Sequence, residues 1–98
     1  MQAKELFNCR VIVAEDAFAE IVAWKLPQPV PGSVHGYKYR LVLVVDGRCV
    51  LRYDNEAGKG DHRHMEAGEQ PYAFSTIERL VADFFNDVMR WRDENGNA

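Results

Sequence analysis

The sequence is short of features that would place it in several common classes of protein. It has two cysteines, Cys9 and Cys49, without the CxxC spacing of a metal or redox pair. No apolar run reaches the roughly 18 residues of a transmembrane helix, and the first residues, MQAKELFNCR, lack the apolar centre of a signal peptide. These absences predict a cytoplasmic protein without membrane association, in which both thiols are buried and reduced.

Positive charge is not in excess either. Twelve Lys and Arg residues against 15 Asp and Glu give a net charge of −3 at pH 7, so the chain as a whole does not have the charge of a nucleic-acid-wrapping protein. A local basic patch is still compatible with this balance. The length of 98 residues predicts a single domain over residues 1–98, with enough apolar residues for one core without disulfide or metal.

Two extended runs open the chain. Residues 6–14 and 17–26 are rich in strand-forming residues, and the acidic pair Glu15–Asp16 separates them. This pattern predicts a β-hairpin. A helix over residues 15–24 is the alternative, because Ala and Glu favour helices. In the strand interpretation the large apolar side chains of the second run share one face, and they are Phe18, Val22, Trp24 and Leu26.

A proline-rich segment follows. Residues 27–36 hold three prolines and two glycines, so they predict a linker that contains neither a helix nor a central strand. His35 lies in this linker beside Gly36. We expect its side chain to be exposed to solvent and without a functional role.

The second hairpin carries the clearest local signal. Asp46-Gly47 lies between the strand-like runs 37–45 and 48–54, and Asp-Gly favours the type I′ turn of a two-residue hairpin loop. The predicted register places Val45 opposite Arg48 and Tyr39 opposite Asp54. Both faces are apolar near the turn and polar at the open end, where four side chains gather: Lys38, Arg40, Arg52 and Tyr53.

The C-terminal part predicts one amphipathic helix. A capping box from Ser75 to Glu78 marks its start, and Asp93–Ala98 reads as a frayed tail. An apolar stripe recurs at helical spacing through Ile77, Leu80, Val81, Phe84, Val88 and Trp91, with Phe85 and Met89 at its borders. The predicted fold class is therefore α+β, with an antiparallel sheet of about four strands (two hairpins) and one C-terminal helix packed on one face.

Between sheet and helix lies the polar stretch 53–64, YDNEAGKGDHRH. In an extended segment His62 and His64 point to one side and Arg63 to the other. Asp61 or Glu56 could add oxygen ligands for a metal, but a third and fourth ligand at recognisable spacing are missing, so no metal site is predicted. The pair Gly58 and Gly60 around Lys59 allows backbone N–H groups to face an anion.

These residues are sufficient for metal-free and cofactor-free cleavage of RNA. Such a reaction needs a base for the 2′-hydroxyl, an acid for the leaving 5′-oxygen and cations for the charge on phosphorus. The candidate catalytic residues are His62, His64, Lys59, Arg63 and Tyr53, and the candidate substrate-binding residues are Arg40, Arg52, Lys38, Gly58, Gly60 and Asp61. The alternative is a solvated loop in which Asp61 only orients His62 or pairs with Arg63.

Several segments together resemble the TumE-like toxin family of bacterial type II toxin–antitoxin pairs. They are the linker PQPVPGS, then YKYRL, VDG, LRYDNE and GKGDHRH, followed by the capped helix. The resemblance runs from about Ala17 to Trp91, and it departs from the family pattern at Ala17 and Gln28. It implies a growth-inhibiting toxin that is neutralised by a cognate antitoxin, commonly a helix-turn-helix protein.

Several toxins of this size are endoribonucleases, and the resemblance leads us to expect an RNA substrate. Whether the protein is an enzyme stays open, because the same loop could serve a non-catalytic module that binds an anion, a nucleic acid or a partner protein. Metal-assisted hydrolysis is a third alternative. The oligomeric state is also open, with a homodimer among the alternatives.

Overall fold

The computed structural model of the chain describes residues 2–55 and 58–96. Six strands come first: β1 (Lys4–Ala14), β2 (Ala17–Lys25), β3 (Tyr37–Val45), β4 (Arg48–Asp54), β5 (His62–Met65) and β6 (Gly68–Pro71). Helix α1 (Ile77–Trp91) follows, and a π-helical turn, Arg92–Gly96, continues it. The first two runs form the predicted hairpin, so the helical alternative for residues 15–24 is wrong.

The strands form one antiparallel meander in the order β1-β2-β3-β4-β5-β6. The sheet therefore has six strands, not about four. The two additional strands, β5 and β6, have no alternation of apolar and polar residues that would have predicted them. They are strands because the backbone of β5 pairs with β4 and that of β6 with β5, and this pairing requires no apolar side chains.

Helix α1 packs on one face of the sheet, as predicted. The core consists of residues from β2, β3, β4 and α1, among them Ala19, Ile21, Leu41, Leu43, Leu51, Tyr53, Leu80, Phe84 and Val88. Phe18, Val22 and Trp24 alternate with the buried residues of β2 and are half-buried on the opposite face. The helix side of β2 thus carries three alanines and Ile21, whereas its aromatic side chains, Phe18 and Trp24, face away from the helix.

A β-bulge in the β3–β4 hairpin decides which side chains face the helix. Asp46 and Gly47 have φ of 51° and 76°, and Val45 lies opposite Arg48, as the predicted type I′ turn requires. Val50 then has no partner, and beyond it Arg40, not Tyr39, lies opposite Asp54. The predicted register is therefore wrong beyond the bulge, because an extra residue shifts the pairing by one.

This shift has a direct effect on the two faces. Leu51 and Tyr53 join Leu41 and Leu43 on the helix side, where all four are buried. Arg52 and Asp54 turn to the side away from the helix.

The helix begins one residue later than the predicted capping box. Thr76 is the N-cap, with extended backbone (φ −135°, ψ 161°), and its side chain accepts the Arg79 N–H at 3.0 Å. Thr76 thus takes the capping role predicted for Ser75. The apolar stripe is confirmed, since Leu80, Phe84 and Val88 are buried and the others pack on the core except Met89, which is 45% exposed.

The prediction of a frayed tail is wrong for residues 93–96, which continue the helix. Residues 92–96 form the π-helical turn, and the side-chain amide of Asn95 donates a hydrogen bond to the Trp91 carbonyl at 3.0 Å. Asn97 and Ala98, the last two residues of the predicted tail, lie outside the described residues.

Both cysteines are exposed, so the prediction of buried thiols is wrong. Cys9 lies on β1 at the edge of the sheet, and Cys49 lies two residues after the hairpin turn, where helix α1 provides no cover. Within the described ranges, no helix is long and apolar enough to cross a membrane.

Candidate functional site

Charged and polar side chains gather on the sheet face that is turned away from α1, which we call the open face. The pairing of the strands brings this group together. Asp54 on β4 lies opposite Arg40 on β3 on one side and opposite His62 on β5 on the other. In the next row, Arg52 lies opposite His64. The open face of β2 to β6 thus carries Trp24, Lys38, Arg40, Arg52, Asp54, His62, His64 and Glu69.

His62 is the buried member of this group. His62 is only 5% exposed, and its Nδ1 hydrogen-bonds the Gly60 carbonyl at 3.1 Å. Its Nε2 lies 2.7 Å from Asp54 Oδ1 and 3.5 Å from Glu69 Oε2. Both ring nitrogens therefore face oxygen atoms of the protein, and these contacts fix the orientation of the ring.

His64 lies on the same face and is accessible. Its side chain is 50% exposed, and its Nδ1 is 3.9 Å from Glu69 Oε2. The two imidazoles share one side of β5, as their spacing predicts, and Glu69 lies near both rings. His64 can therefore contact a ligand from solvent over much of its ring, whereas only 6% of the His62 side chain is exposed.

Asp54 and Arg52 contact each other beside His62. Arg52 Nε lies 3.2 Å from Asp54 Oδ2. Arg52 Nε and Asp54 Oδ1 are nevertheless buried without a well-aligned hydrogen bond to the described part of the chain. The contacts of Asp54 with Arg52 and His62 are therefore close charge contacts without ideal hydrogen-bond geometry.

A depression of about 380 Å³ adjoins these groups on the open face. Trp24 and Val22 on β2 line it together with Lys38 and Arg40 on β3 and with Asp54. Trp24 lies opposite Lys38 in the sheet. An aromatic ring beside two cations is the combination that stacks a nucleobase and binds its phosphate.

Tyr53 and Arg63 lie on the helix side of the sheet, away from the histidines with which the sequence grouped them. Tyr53 is fully buried, and its phenol donates to the Asp87 carboxylate of α1. Arg63 Nη1 lies 3.2 Å from the Tyr53 oxygen and 3.4 Å from Asp87 Oδ2. Burial, and then the bond to Asp87, raises the pKa of Tyr53 to about 12. These contacts connect the sheet to the helix.

Asp61 also lies in a separate group, together with His35. Nε2 of His35 is 2.7 Å from Asp61 Oδ2, and Ser33 donates to Asp61 Oδ1 at 2.8 Å. The Tyr37 N–H donates to His35 Nδ1 at 3.1 Å, and the imidazole stacks on Phe74 at 3.8 Å between centroids. The prediction that His35 is exposed is wrong, because its side chain is only 12% exposed.

The glycines at 58 and 60 dock the loop onto the proline-rich linker. The Gly58 N–H donates to the Pro31 carbonyl at 2.7 Å. Gly60 has φ 74°, and a Cβ built on it would lie 2.9 Å from the Gly32 oxygen. The Gly58 amide is thus engaged within the protein. Lys59 between the glycines is exposed, and the predicted ligand Glu56 lies outside the described residues.

Sequence reasoning missed three residues of this region. Asp54 was missed because the predicted register paired it with Tyr39, and the bulge at Val50, which pairs it with Arg40 instead, has no sequence signal. Glu69 was missed because β6 was not recognised as a strand. Asn55 is fully buried and bonds the Tyr39 N–H and the Tyr37 carbonyl at 3.0 and 2.6 Å, a role typical of a buried amide but not readable from one Asn in a polar run.

Among the described residues, no group of three or more His, Cys, Asp and Glu side chains has an arrangement that could hold a metal ion. Fold and site together define the chain as a small α+β domain whose sheet has one helix-covered face and one open face with clustered charges. A family model described as Toxin TumE matches residues 3–92. The chain therefore belongs to the TumE toxin family, as the sequence motifs indicated.

Membership in this family supports a toxin role and, in general terms, an antitoxin partner. Neither the search of curated proteins nor that of solved structures finds a match.

Proposed function

We propose that this toxin is a metal-independent endoribonuclease whose active site is the open face of the sheet. The observation that carries the proposal is the pair of imidazoles on β5, both facing Glu69 and bordered by the cations of β3 and β4. Imidazoles exchange protons readily near neutral pH, and guanidinium and ammonium groups stabilise charge on a phosphoryl group.

The two histidines have different roles in this reaction. Exposed His64 acts as the base that takes the proton from the 2′-hydroxyl, and the 2′-oxygen then attacks phosphorus. The bond to the 5′-oxygen breaks, and His62, enclosed by the oxygens of Asp54, Glu69 and Gly60, supplies the proton that this oxygen needs. The products are a 2′,3′-cyclic phosphate and a 5′-hydroxyl, so no cofactor is consumed.

Substrate binding follows from the neighbouring depression. Lys38 and Arg40 contact backbone phosphates, and Trp24 stacks one base beside the scissile bond. Single-stranded RNA suits this surface better than a duplex, because only an unpaired base can stack on an aromatic side chain.

Growth inhibition and RNA cleavage test the proposal together. His64→Ala should abolish both without loss of stability, since His64 is half exposed and its nearest described acidic group is 3.9 Å away. General acid–base groups typically contribute about 10²–10⁴-fold to rate. The matched control is Arg79→Gln, an exposed change on helix α1, which should leave both readouts intact. Full toxicity of His64→Ala refutes the assignment, and cleavage should persist in EDTA.

One observation favours a second function, binding without cleavage. Both nitrogens of His62 face oxygen acceptors within the protein, as expected for a histidine that holds β5 against β4 and the loop. In that case purified protein binds RNA in a salt-sensitive manner and releases no fragments. Mapping RNA ends after incubation with purified toxin separates the two functions.

A further inference from the structure

Strand β1 forms one edge of the sheet, and its outer side meets no other strand in the described part of the chain. It is 11 residues long, and most of its residues are exposed. Five large apolar residues are strongly exposed among those described, and three lie on β1: Leu6 at 39%, Val11 at 39% and Ile12 at 74%. A long apolar edge presents unpaired N–H and C=O groups that readily pair with another strand.

The opposite edge has the features that prevent such pairing. Strand β6 has four residues, Gly68–Pro71, of which none has a large apolar side chain. Proline lacks an N–H, and short, polar edge strands are poor templates for pairing. Strand β1 has neither proline nor glycine, and its two β-bulges lie toward its ends, between Glu5 and Phe7 and between Ile12 and Ala14. The intervening segment, residues 7–12, is regular.

A charged residue within an edge strand can also prevent pairing, but Arg10 is occupied within its own chain. Its Nη2 lies 2.9 Å from Glu20 Oε2, and its guanidinium carbon lies 4.0 Å above the Phe18 ring. The guanidinium therefore lies over the open face of β2, beside Glu20 and Phe18.

We infer that β1 pairs with β1 of a second copy of this chain, antiparallel and about a two-fold axis at Cys9, so that two sheets join into one of twelve strands. An isologous antiparallel pair places residues of the same face opposite each other, which leaves Asn8, Cys9 or Arg10 as the central residue of the regular segment. Of these, only Cys9 pairs Phe7 with Val11 and leaves no apolar residue of the regular segment opposite a charged or amide side chain.

The three registers differ in their cross-strand pairs. With Cys9 at the centre, Phe7 lies opposite Val11 of the second copy, and Asn8 lies opposite Arg10. A centre at Arg10 puts the apolar side chain of Ile12 opposite the amide of Asn8, which is unfavourable. A centre at Asn8 puts Val11 opposite Glu5, so an apolar side chain meets a carboxylate.

The two-fold axis is perpendicular to the joined sheet, since adjacent antiparallel strands of one sheet are related in this way. Both open faces therefore lie on the same side of the dimer, and the two copies of α1 lie on the other. The dimer thus presents two copies of the His62–His64 group to the same side.

Cysteine cross-linking tests this register directly. Directly opposed residues of antiparallel strands have Cα atoms about 4.5–5.5 Å apart, within disulfide range. Under mild oxidation of the full chain with copper–phenanthroline, Cys49→Ser, which keeps Cys9, should form a disulfide-linked dimer rapidly. Cys9→Ser, which keeps the equally exposed Cys49, should stay monomeric on a non-reducing gel. Cross-linking through Cys49 at the same rate overturns the inference.

Solution mass supplies a second test that does not depend on oxidation. Light scattering of the reduced full chain should give twice the 11.2 kDa mass of the monomer. Cys9→Lys should give a monomer with an unchanged circular dichroism spectrum, because the two ammonium groups meet only in the dimer. Val34→Lys alters an apolar residue that is 98% exposed in the linker, and it should stay dimeric.

Two results of the mass measurement would also overturn the inference. A wild-type chain that is monomeric on its own leaves the β1 edge to an antitoxin segment or to solvent. A Cys9→Lys variant that stays dimeric places the interface between copies elsewhere on the molecule. Neither result bears on the proposed RNA cleavage, which the His64→Ala assay tests separately.

Discussion

The phenol of Tyr53 on β4 donates a hydrogen bond to the carboxylate of Asp87 on α1, and this contact crosses the interface between sheet and helix. Tyr53 is fully buried and Asp87 is 7% exposed. Two arginines add charge to the same carboxylate: Arg63 Nη1 at 3.4 Å and Arg90 Nη1 at 3.3 Å. A buried carboxylate is thus accommodated in the interface by one phenol and two guanidinium groups.

Tyr53→Phe should lower the free energy of unfolding by roughly 1–3 kcal/mol, because Asp87 stays buried after losing a donor. The measurement is urea unfolding followed by circular dichroism. The matched control is Tyr72→Phe, which removes a hydroxyl that lies 2.6 Å from Asp83. The Asp83 side chain is 25% exposed, so water can replace the lost donor. Equal losses for the two variants would contradict the role assigned to burial.

The raised pKa of Tyr53 predicts how the stability of the protein changes in alkaline solution. The pKa of Tyr53 rises from 10.0 to about 12 on folding, so the unfolded chain releases this proton at lower pH than the folded chain. Between pH 10 and pH 12 the folded state therefore binds more protons, and stability falls as the pH rises. Burial raises the pKa of Tyr39 and Tyr72 in the same direction. Unfolding free energies across this range should decline, and more shallowly in Tyr53→Phe.

The contact between Gly32 and Gly60 predicts a difference between the two loop glycines. Gly58 and Gly60 both have positive φ, 84° and 74°, so an alanine at either site adds roughly 1–2 kcal/mol of backbone strain. A Cβ at Gly58 meets nothing within 4 Å, whereas at Gly60 it lies 2.9 Å from the Gly32 oxygen. Gly60→Ala should therefore lower the melting temperature more than Gly58→Ala. Equal melting temperatures would mean that the linker moves aside.

His35 should prove to be a structural residue. It faces Asp61 through Nε2 and accepts the Tyr37 N–H through Nδ1, so its ring connects the linker to the loop. His35→Ala should destabilise the protein by roughly 1–3 kcal/mol, because it leaves the Asp61 carboxylate, 10% exposed, with one partner fewer. Toxicity measured well below the melting temperature should survive. A stable but inactive variant would instead place His35 in the active site.

The parts of the fold that were predicted from sequence are those with a local signal. Asp46-Gly47 defines its turn, and the stripe around Leu80 and Phe84 defines the helix. Strands β5 and β6 escaped prediction because backbone pairing forms them and their side chains are mainly polar. No local pattern records such pairing.

The site was harder to predict for a similar reason. The spacing of His62 and His64 was enough to place both on one face, but the bulge at Val50 decides the face of everything after it on β4. Because of this bulge, the side chain of Tyr53 faces the helix and that of Asp54 faces the histidines. His35 and Asp61 are 26 residues apart in sequence, and only the docking of linker on loop brings them together.

Salt dependence provides the sharpest test of the open face as an RNA-binding surface. Lys38 and Arg40 are exposed on this face beside Trp24. Each cation that neutralises a phosphate of single-stranded nucleic acid adds about 0.7 to the slope of log Kobs against log salt concentration. Lys38→Gln and Arg40→Gln should each weaken binding of a short unstructured RNA and reduce that slope by about this amount. Binding is best measured by fluorescence anisotropy over a salt series.

The control for this series is Arg79→Gln on the exposed side of helix α1. It removes the same charge from the chain, and its side chain is 69% exposed and lies 3.0 Å from Asp83 on the far side of the sheet. Long-range attraction by net charge alone would make all three variants weaken binding alike. Binding through the open face leaves Arg79→Gln close to wild type, because contacts with phosphate, and not total charge, release counterions. Trp24→Ala should then weaken binding at every salt concentration without changing the slope, since stacking releases no counterions.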